Sequence, residues 1–154
     1  MIALTEKQVE LDALMPLIRE ILATGQSVCF SPRGTSMLPM LRQGIDTVVL
    51  SSVPEKLKKY DLPLYRRANG QYVLHRIVEA GETYTCMGDN QFDRETGLCH
   101  DQMLALVTGF TRGEKEHRVS EPGYQIYCRA WHHSRKARRF WRRVKRYLRK
   151  TLFK

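Results

Sequence analysis

Long apolar runs are missing from this 154-residue chain. Its first segment, MIALTEKQVELDALMPLIREILATGQ, is interrupted by Glu6, Lys7, Glu10, Asp12, Arg19 and Glu20. It offers neither a signal-peptide apolar block nor the stretch of about 20 residues that spans a bilayer. No later segment does either, which predicts a protein kept on the cytosolic side, with a peripheral seat on the inner face of a membrane still open to it. C-x-x-C pairs are missing too. Cys29, Cys86, Cys99 and Cys128 are dispersed, which removes zinc-ribbon and thioredoxin-like readings and predicts ordinary reduced thiols. Cys99-His100 and His132-His133 are adjacent candidate ligands without a matching pair elsewhere, so neither a metal nor an organic cofactor is expected. Proline and glycine are few, at 6 and 10 residues, and no repeat or low-complexity linker interrupts the chain. Collagen-like and disordered classes are thereby excluded.

Acidic residues are absent from residue 129 to the end, a segment that carries 12 of the 26 Lys and Arg. The remaining 14 basic residues face 16 acidic ones, so the formal charge of +10 belongs to the tail and the body is close to neutral. A length of 154 residues suits one domain able to bury a core without staples. The expected organisation is a single domain over residues 1–128 and a basic amphipathic helical tail over 129–154.

Thr5 with Gln8 three positions on reads as a capping box, and Val9, Leu11, Leu14, Ile18, Ile21 and Leu22 then recur near helical spacing. A helix over about 5–24, ended by Gly25 and bent or split at Pro16, is predicted. From residue 27 to about 112 the pattern becomes short apolar runs between Gly, Asn and Asp: SVCFSP, DTVVLSSV, DLPLYRR, QYVLHRIVE, TYTCMGD and LALVTGF. These read as strands, with the Asn-Gly pair of ANGQ marking a hairpin and EAGET a second tight turn. The fold class expected is mainly β with flanking N-terminal and C-terminal helices. In the tail, Ala137, Phe140, Trp141, Val144, Leu148 and Leu152 fall on one stripe and Arg and Lys fill almost everything else.

A serine hydroxyl is a poor nucleophile at neutral pH. A hydrolase that uses one needs a proton acceptor within hydrogen-bond reach and donors for the developing oxyanion. Ser36, after Gly34 and three positions before Pro39, sits where an irregular backbone can leave N–H groups near the hydroxyl. His75, in YVLHRIVE, alternates onto the face of Val73 and Ile77, and burial there favours the neutral imidazole of a general base. Read from the residues alone, the pair is only a suggestion: loop serines and strand histidines are ordinarily structural, and triads are recognised by geometry, not order.

Three boxes in order change that reading. GTSMLPML resembles the Ser-Met-x-Pro box of signal peptidase I and the clan that includes the self-cleaving SOS and phage repressors. YVLHRIVE resembles the second box of the endoplasmic-reticulum and archaeal branch, where histidine replaces the catalytic lysine, and MGDNQFDRE is similar to the Gly-Asp-Asn box that follows. The resemblance covers roughly residues 28–110. It implies a mainly β peptidase fold with Ser36 as nucleophile, His75 as general base, and Asp89 as acidic group or loop organiser, with Asp93 a second candidate. Asp89 can equally be a turn-former. The resemblance also implies an oxyanion hole built partly from the Ser36 N–H, with Met37 and Pro39 shaping turn and pocket. Many bacterial relatives add a serine hydroxyl two positions before the nucleophile. That position is Gly34 here, and the second donor stays unidentified.

No membrane anchor accompanies the boxes, which turns the expected substrate from a secretory signal peptide toward a peptide or protein precursor on the cytosolic side. The function expected is a serine endopeptidase. The competing class is a catalytically silent peptide-binding or membrane-peripheral module on the same fold. A self-cleaving repressor is disfavoured, because no recognisable helix-turn-helix precedes the boxes and an Ala-Gly bond of the expected kind is missing. For the tail, Phe140, Trp141 and Phe153 are placed to enter a headgroup boundary while Arg142, Arg143 and their neighbours meet anionic lipid. The stripe can instead pack on the β domain. Nucleic acid is disfavoured as a partner, since no aromatic platform or reading-head motif accompanies the charge. Oligomeric state is not legible.

Overall fold

The computed structural model describes residues 11–152, and side chains through residue 149. The Thr5 capping box, Val9 and Phe153 lie outside the described residues. The first helix, α1 (Leu11–Ala23), buries Met15, Ile18 and Leu22, with Leu11, Leu14 and Ile21 partly buried against the same core. The stripe expected from 3.6-residue spacing is the stripe that packs. Pro16 neither splits nor ends the helix. It lies on the exposed side, and the helix continues through it to Ala23.

Among the described residues nine strands follow: β1 (Val28–Phe30), β2 (Val48–Ser51), β3 (Pro63–Arg66), β4 (Tyr72–Leu74), β5 (Arg76–Ala80), β6 (Tyr84–Met87), β7 (Glu95–Leu98), β8 (Met103–Arg112) and β9 (Lys115–Arg118). They form two antiparallel sheets. The larger runs β1-β2-β8-β3-β4, with β9 also paired to β8, and the smaller runs β5-β6-β7. The Asn69-Gly70 turn joins β3 to β4 as predicted: Gly70 takes φ +89°, and Arg67 N–H donates to Gln71 C=O at 2.9 Å. The turn at residues 80–83 joins β5 to β6.

YVLHRIVE is two strands rather than one. Its first half pairs with β3 and its second with β6, and the chain passes between the sheets at His75. The alternation survives the crossing. Leu74 joins the core built on the larger sheet and α1, whereas Val73 and Ile77 join a second cluster with Tyr65, Tyr84, Cys86 and Leu98.

Two helices close the chain, α2 (Pro122–His133) and α3 (Arg135–Leu152). The mainly β expectation is corrected here: the fold is mixed, with about as much helix as strand. Of α2, only the part from residue 129 on falls within the helix expected for the basic tail, yet Tyr124 and Cys128 are buried in the main core. The boundary expected at residue 129 therefore falls inside α2. β9 was also missed, being the charged run KEHR with no alternation to mark it.

Candidate active site

Ser36 lies in the loop between β1 and β2, held by the Gly-Asp-Asn turn from the other side of the fold. Asn90 N–H donates to the Ser36 C=O at 2.8 Å, and the Asn90 side-chain amide donates to the Thr35 C=O at 3.0 Å. Gly34 adopts φ +89°, which glycine tolerates and other residues resist, and its N–H donates to Gln43 Oε1 at 2.8 Å. Gly88 is glycine for a contact reason. A Cβ there would stand 2.7 Å from the Ser36 carbonyl oxygen and 3.1 Å from His75 Nε2. The serine loop, the imidazole and the Gln91 side-chain oxygen, which would stand 3.0 Å from that Cβ, thus converge on Gly88.

His75 is 3% exposed. Its Nδ1 lies 3.2 Å from Glu95 Oε1 and 3.3 Å from the Tyr65 hydroxyl. A carboxylate offers only acceptors, so pairing with Glu95 requires the tautomer with its proton on Nδ1, which leaves the Nε2 lone pair free on the side of Gly88 and the Ser36 loop. Glu95 is fixed in turn by Arg67, whose Nε donates to Oε2 at 2.7 Å and whose Nη2 pairs with Oε1. That hydrogen bonding, ahead of the opposing effect of burial, holds Glu95 below the usual carboxylate range. Burial pushes His75 below its ordinary value of 6.5, and Glu95 opposes that shift in part. The result is a neutral imidazole backed by an ionised carboxylate, the state a general base requires.

A cleft of about 230 Å³ is lined by Gly34, Ser36, Met37, Arg67, Val73 and His75, among others. Ser36 is half-buried at its edge. Among the described residues no hydrogen bond joins the Ser36 hydroxyl to Nε2, so the pair is open in the free protein. Catalytic hydrogen bonds are often long before substrate binds.

The remaining expected residues separate into those at the cleft and those away from it. Met37 is 5% exposed and belongs to both the core and the cleft wall. Pro39 is exposed outside the cleft lining, where its C=O accepts from Arg112 Nη1 at 2.8 Å. Asp89 is buried, and its carboxylate is taken by Arg76 through Nε–Oδ1 and Nη2–Oδ2 contacts of 2.8 Å each, with the Tyr127 hydroxyl at 3.3 Å. Asp93 is exposed in the β6–β7 connection. The carboxylate on the histidine is Glu95, a residue the boxes did not mark. Glu95 lies opposite Cys86 across the β6–β7 ladder, and only that register brings it under His75.

Arg76 is the largest surprise of the box. It is 2% exposed and also donates to the Tyr124 hydroxyl (2.8 Å), Cys128 Sγ (2.9 Å) and the Tyr60 C=O (3.2 Å). Burial opposes its charge, but Asp89, with Tyr124 and Cys128, outweighs that penalty and its pKa is raised. Phe140 and Trp141 are exposed on α3, and Arg143 with them. Arg142 is turned back onto the fold, with Nη1 donating to the Asn90 C=O at 3.2 Å. Among the described residues no group of three or more His, Cys, Asp and Glu is arranged to hold a metal, and no helix is long and apolar enough to cross a membrane. Comparison with known proteins finds no matching family model, and neither a curated protein nor a solved structure similar to this chain.

Proposed function

We propose that the chain is a serine endopeptidase of the signal-peptidase-like clan that cuts a peptide or protein precursor at the Ser36 cleft. The observation that carries this reading is the charge relation at His75: a buried neutral imidazole, its Nδ1 on the ionised Glu95, its Nε2 turned toward the loop of Ser36. In the proposed reaction the Ser36 hydroxyl attacks the scissile carbonyl and Nε2 takes its proton. The tetrahedral intermediate collapses as that proton passes to the leaving amine. Water, deprotonated by the same nitrogen, then hydrolyses the acyl-enzyme. Glu95 orients the ring and stabilises the imidazolium formed at each transfer. The Ser36 N–H is the proposed first oxyanion donor, with its peptide fixed by Asn90.

An extended substrate suits the surroundings. β4 is the last strand of its sheet on the cleft side, and an edge strand accepts a further strand by main-chain pairing. A second hollow of about 380 Å³, lined by Leu11, Leu14, Phe30 and Leu64, shares Tyr72 and Leu74 with the catalytic cleft. It prolongs the groove for several substrate residues.

The open Ser36–His75 pair favours one second reading, a silent peptide-binding module on the same groove. Incubating a proteome-derived peptide library with wild type and with Ser36→Ala separates the two. Cleavages made by wild type and lost in both Ser36→Ala and His75→Ala are the expected result. Peptide capture without any serine-dependent cleavage leaves the binding module.

A further inference from the structure

α3 is fastened to the fold by its charges rather than by its apolar side chains. Arg135 donates to Met87 Sδ at 2.9 Å. Arg138 donates to the Asp89 C=O at 3.3 Å and the Trp131 C=O at 2.6 Å, with its guanidinium 3.7 Å from the Trp131 ring centre. Arg142 meets Asn90 and lies 5.0 Å from the Phe92 ring. Spaced by three and four positions, these arginines share one face of the helix. Phe140, Trp141, Val144 and Leu148 share another. At about 100° per residue its centre lies roughly 140° around the helix from the arginine face. Phe140 is 63% exposed, Trp141 61% and Leu148 47%.

An amphipathic helix ordinarily turns its apolar stripe to the core, and this one is inverted. Exposed Lys136 and Arg143 border the stripe on one side and Lys145 on the other. Ten of the eighteen residues of α3 are Lys or Arg and none is acidic. We infer that α3 lies flat on an anionic lipid surface, with Phe140, Trp141 and Leu148 in the headgroup boundary and the bordering cations on lipid phosphates.

The charge selects this occupant. A second copy packed α3 against α3 would bring another ten cations against the first, with no acid in either helix to offset them. A nucleic acid would satisfy the cations and leave the stripe in water, because phosphate contacts need no apolar face. Only a surface that is anionic at its face and apolar just beneath it uses both halves of the pattern.

The test uses the full chain and sedimented vesicles of phosphatidylcholine, alone or mixed with phosphatidylglycerol. Binding to the mixed vesicles and much weaker binding to phosphatidylcholine is expected. Trp141→Ala should weaken it roughly tenfold, and Phe140→Ala with Trp141→Ala further, from the apolar burial lost. Both side chains are exposed, so thermal midpoints should match wild type. If the double variant misfolds, Arg143→Gln with Lys145→Gln takes its place, again with at least tenfold weaker binding expected. Ser36→Ala should bind vesicles as wild type does, which keeps this inference separate from the peptidase reading. Equal binding to both vesicle types, full vesicle affinity in the aromatic variant, or tighter binding to duplex DNA than to mixed vesicles overturns it.

Discussion

Asp89, in the β6–β7 connection, and Glu95, at the start of β7, each face a basic side chain from YVLHRIVE, but they live in different conditions. Asp89 is 4% exposed and locked to an arginine that is itself 2% exposed. Its partner cannot lose a proton in the working range, so the pair is fixed charge, and fixed charge in the interior serves architecture. Glu95 is half-buried beside the cleft, and its partner His75 is a titratable ring that burial holds below its ordinary value of 6.5. A carboxylate on a titratable ring sets a tautomer and answers to a proton, which suits chemistry. Neighbours in sequence are thus separated in role by what they face and by how much water reaches them.

That contrast breaks most sharply at Glu95. Under the peptidase reading, Glu95→Gln should lower kcat/KM about 10³–10⁴-fold by favouring the wrong tautomer, while thermal stability changes little. A drop of less than tenfold in a peptide-cleavage assay would return Glu95 to a structural part. Asp89→Ala should do the reverse, costing about 3–5 kcal/mol in urea unfolding because Arg76 is left buried and unpaired. Unfolding within about 0.5 kcal/mol of wild type, the usual range for surface substitutions, would mean that the pair is not structural.

Gly88→Ala tests the point where the two environments touch. The new Cβ must displace the Ser36 carbonyl or the His75 ring, so cleavage should fall at least as far as stability, the latter by about 1–3 kcal/mol.

The pH profile sharpens the contrast further. His75 is held below 6.5, so the acid limb of kcat/KM should lie below pH 6.5, activity being lost as pH falls through the lowered value. Removing the Glu95 charge disfavours the imidazolium, so in Glu95→Gln the limb should move to still lower pH; a limb moving upward would contradict the pairing. The smallest effect concerns a third carboxylate. Asp46 is buried beneath Arg42, whose hydrogen bonding lowers its pKa from 3.8 to about 2. Its stabilising contribution is complete above 3.8 and should vanish as pH falls through about 2, a dependence that Asp46→Asn should remove from acid-unfolding curves.

Much of this was legible in the residues and some was hidden for identifiable reasons. The stripe of α1, the Asn69-Gly70 hairpin and the burial of His75 follow from local spacing and turn chemistry. Arg76 was invisible as a buried residue, because nothing in an isolated strand says that both its faces will be covered. Glu95 was hidden because its role depends on β7 pairing with β6 in one register. The Gly-Asp-Asn box was found, but its parts are divided differently from expectation: Gly88 makes room, Asn90 clamps the serine loop, and Asp89 holds Arg76.

By itself the sequence determined part of what is periodic or local: the first helix, most strands between residues 27 and 112, the Asn69-Gly70 turn, the gathering of cations at one end, and an apolar stripe on each of α1 and α3. The tertiary structure alone decided which way those stripes face. α1 turns Met15, Ile18 and Leu22 into the core, while α3 turns Arg135, Arg138 and Arg142 toward the fold and leaves Phe140 and Trp141 in solvent. Periodicity is written along one chain segment and can be read there. Orientation and partner choice are set by what distant segments already fill, and no single segment carries that information.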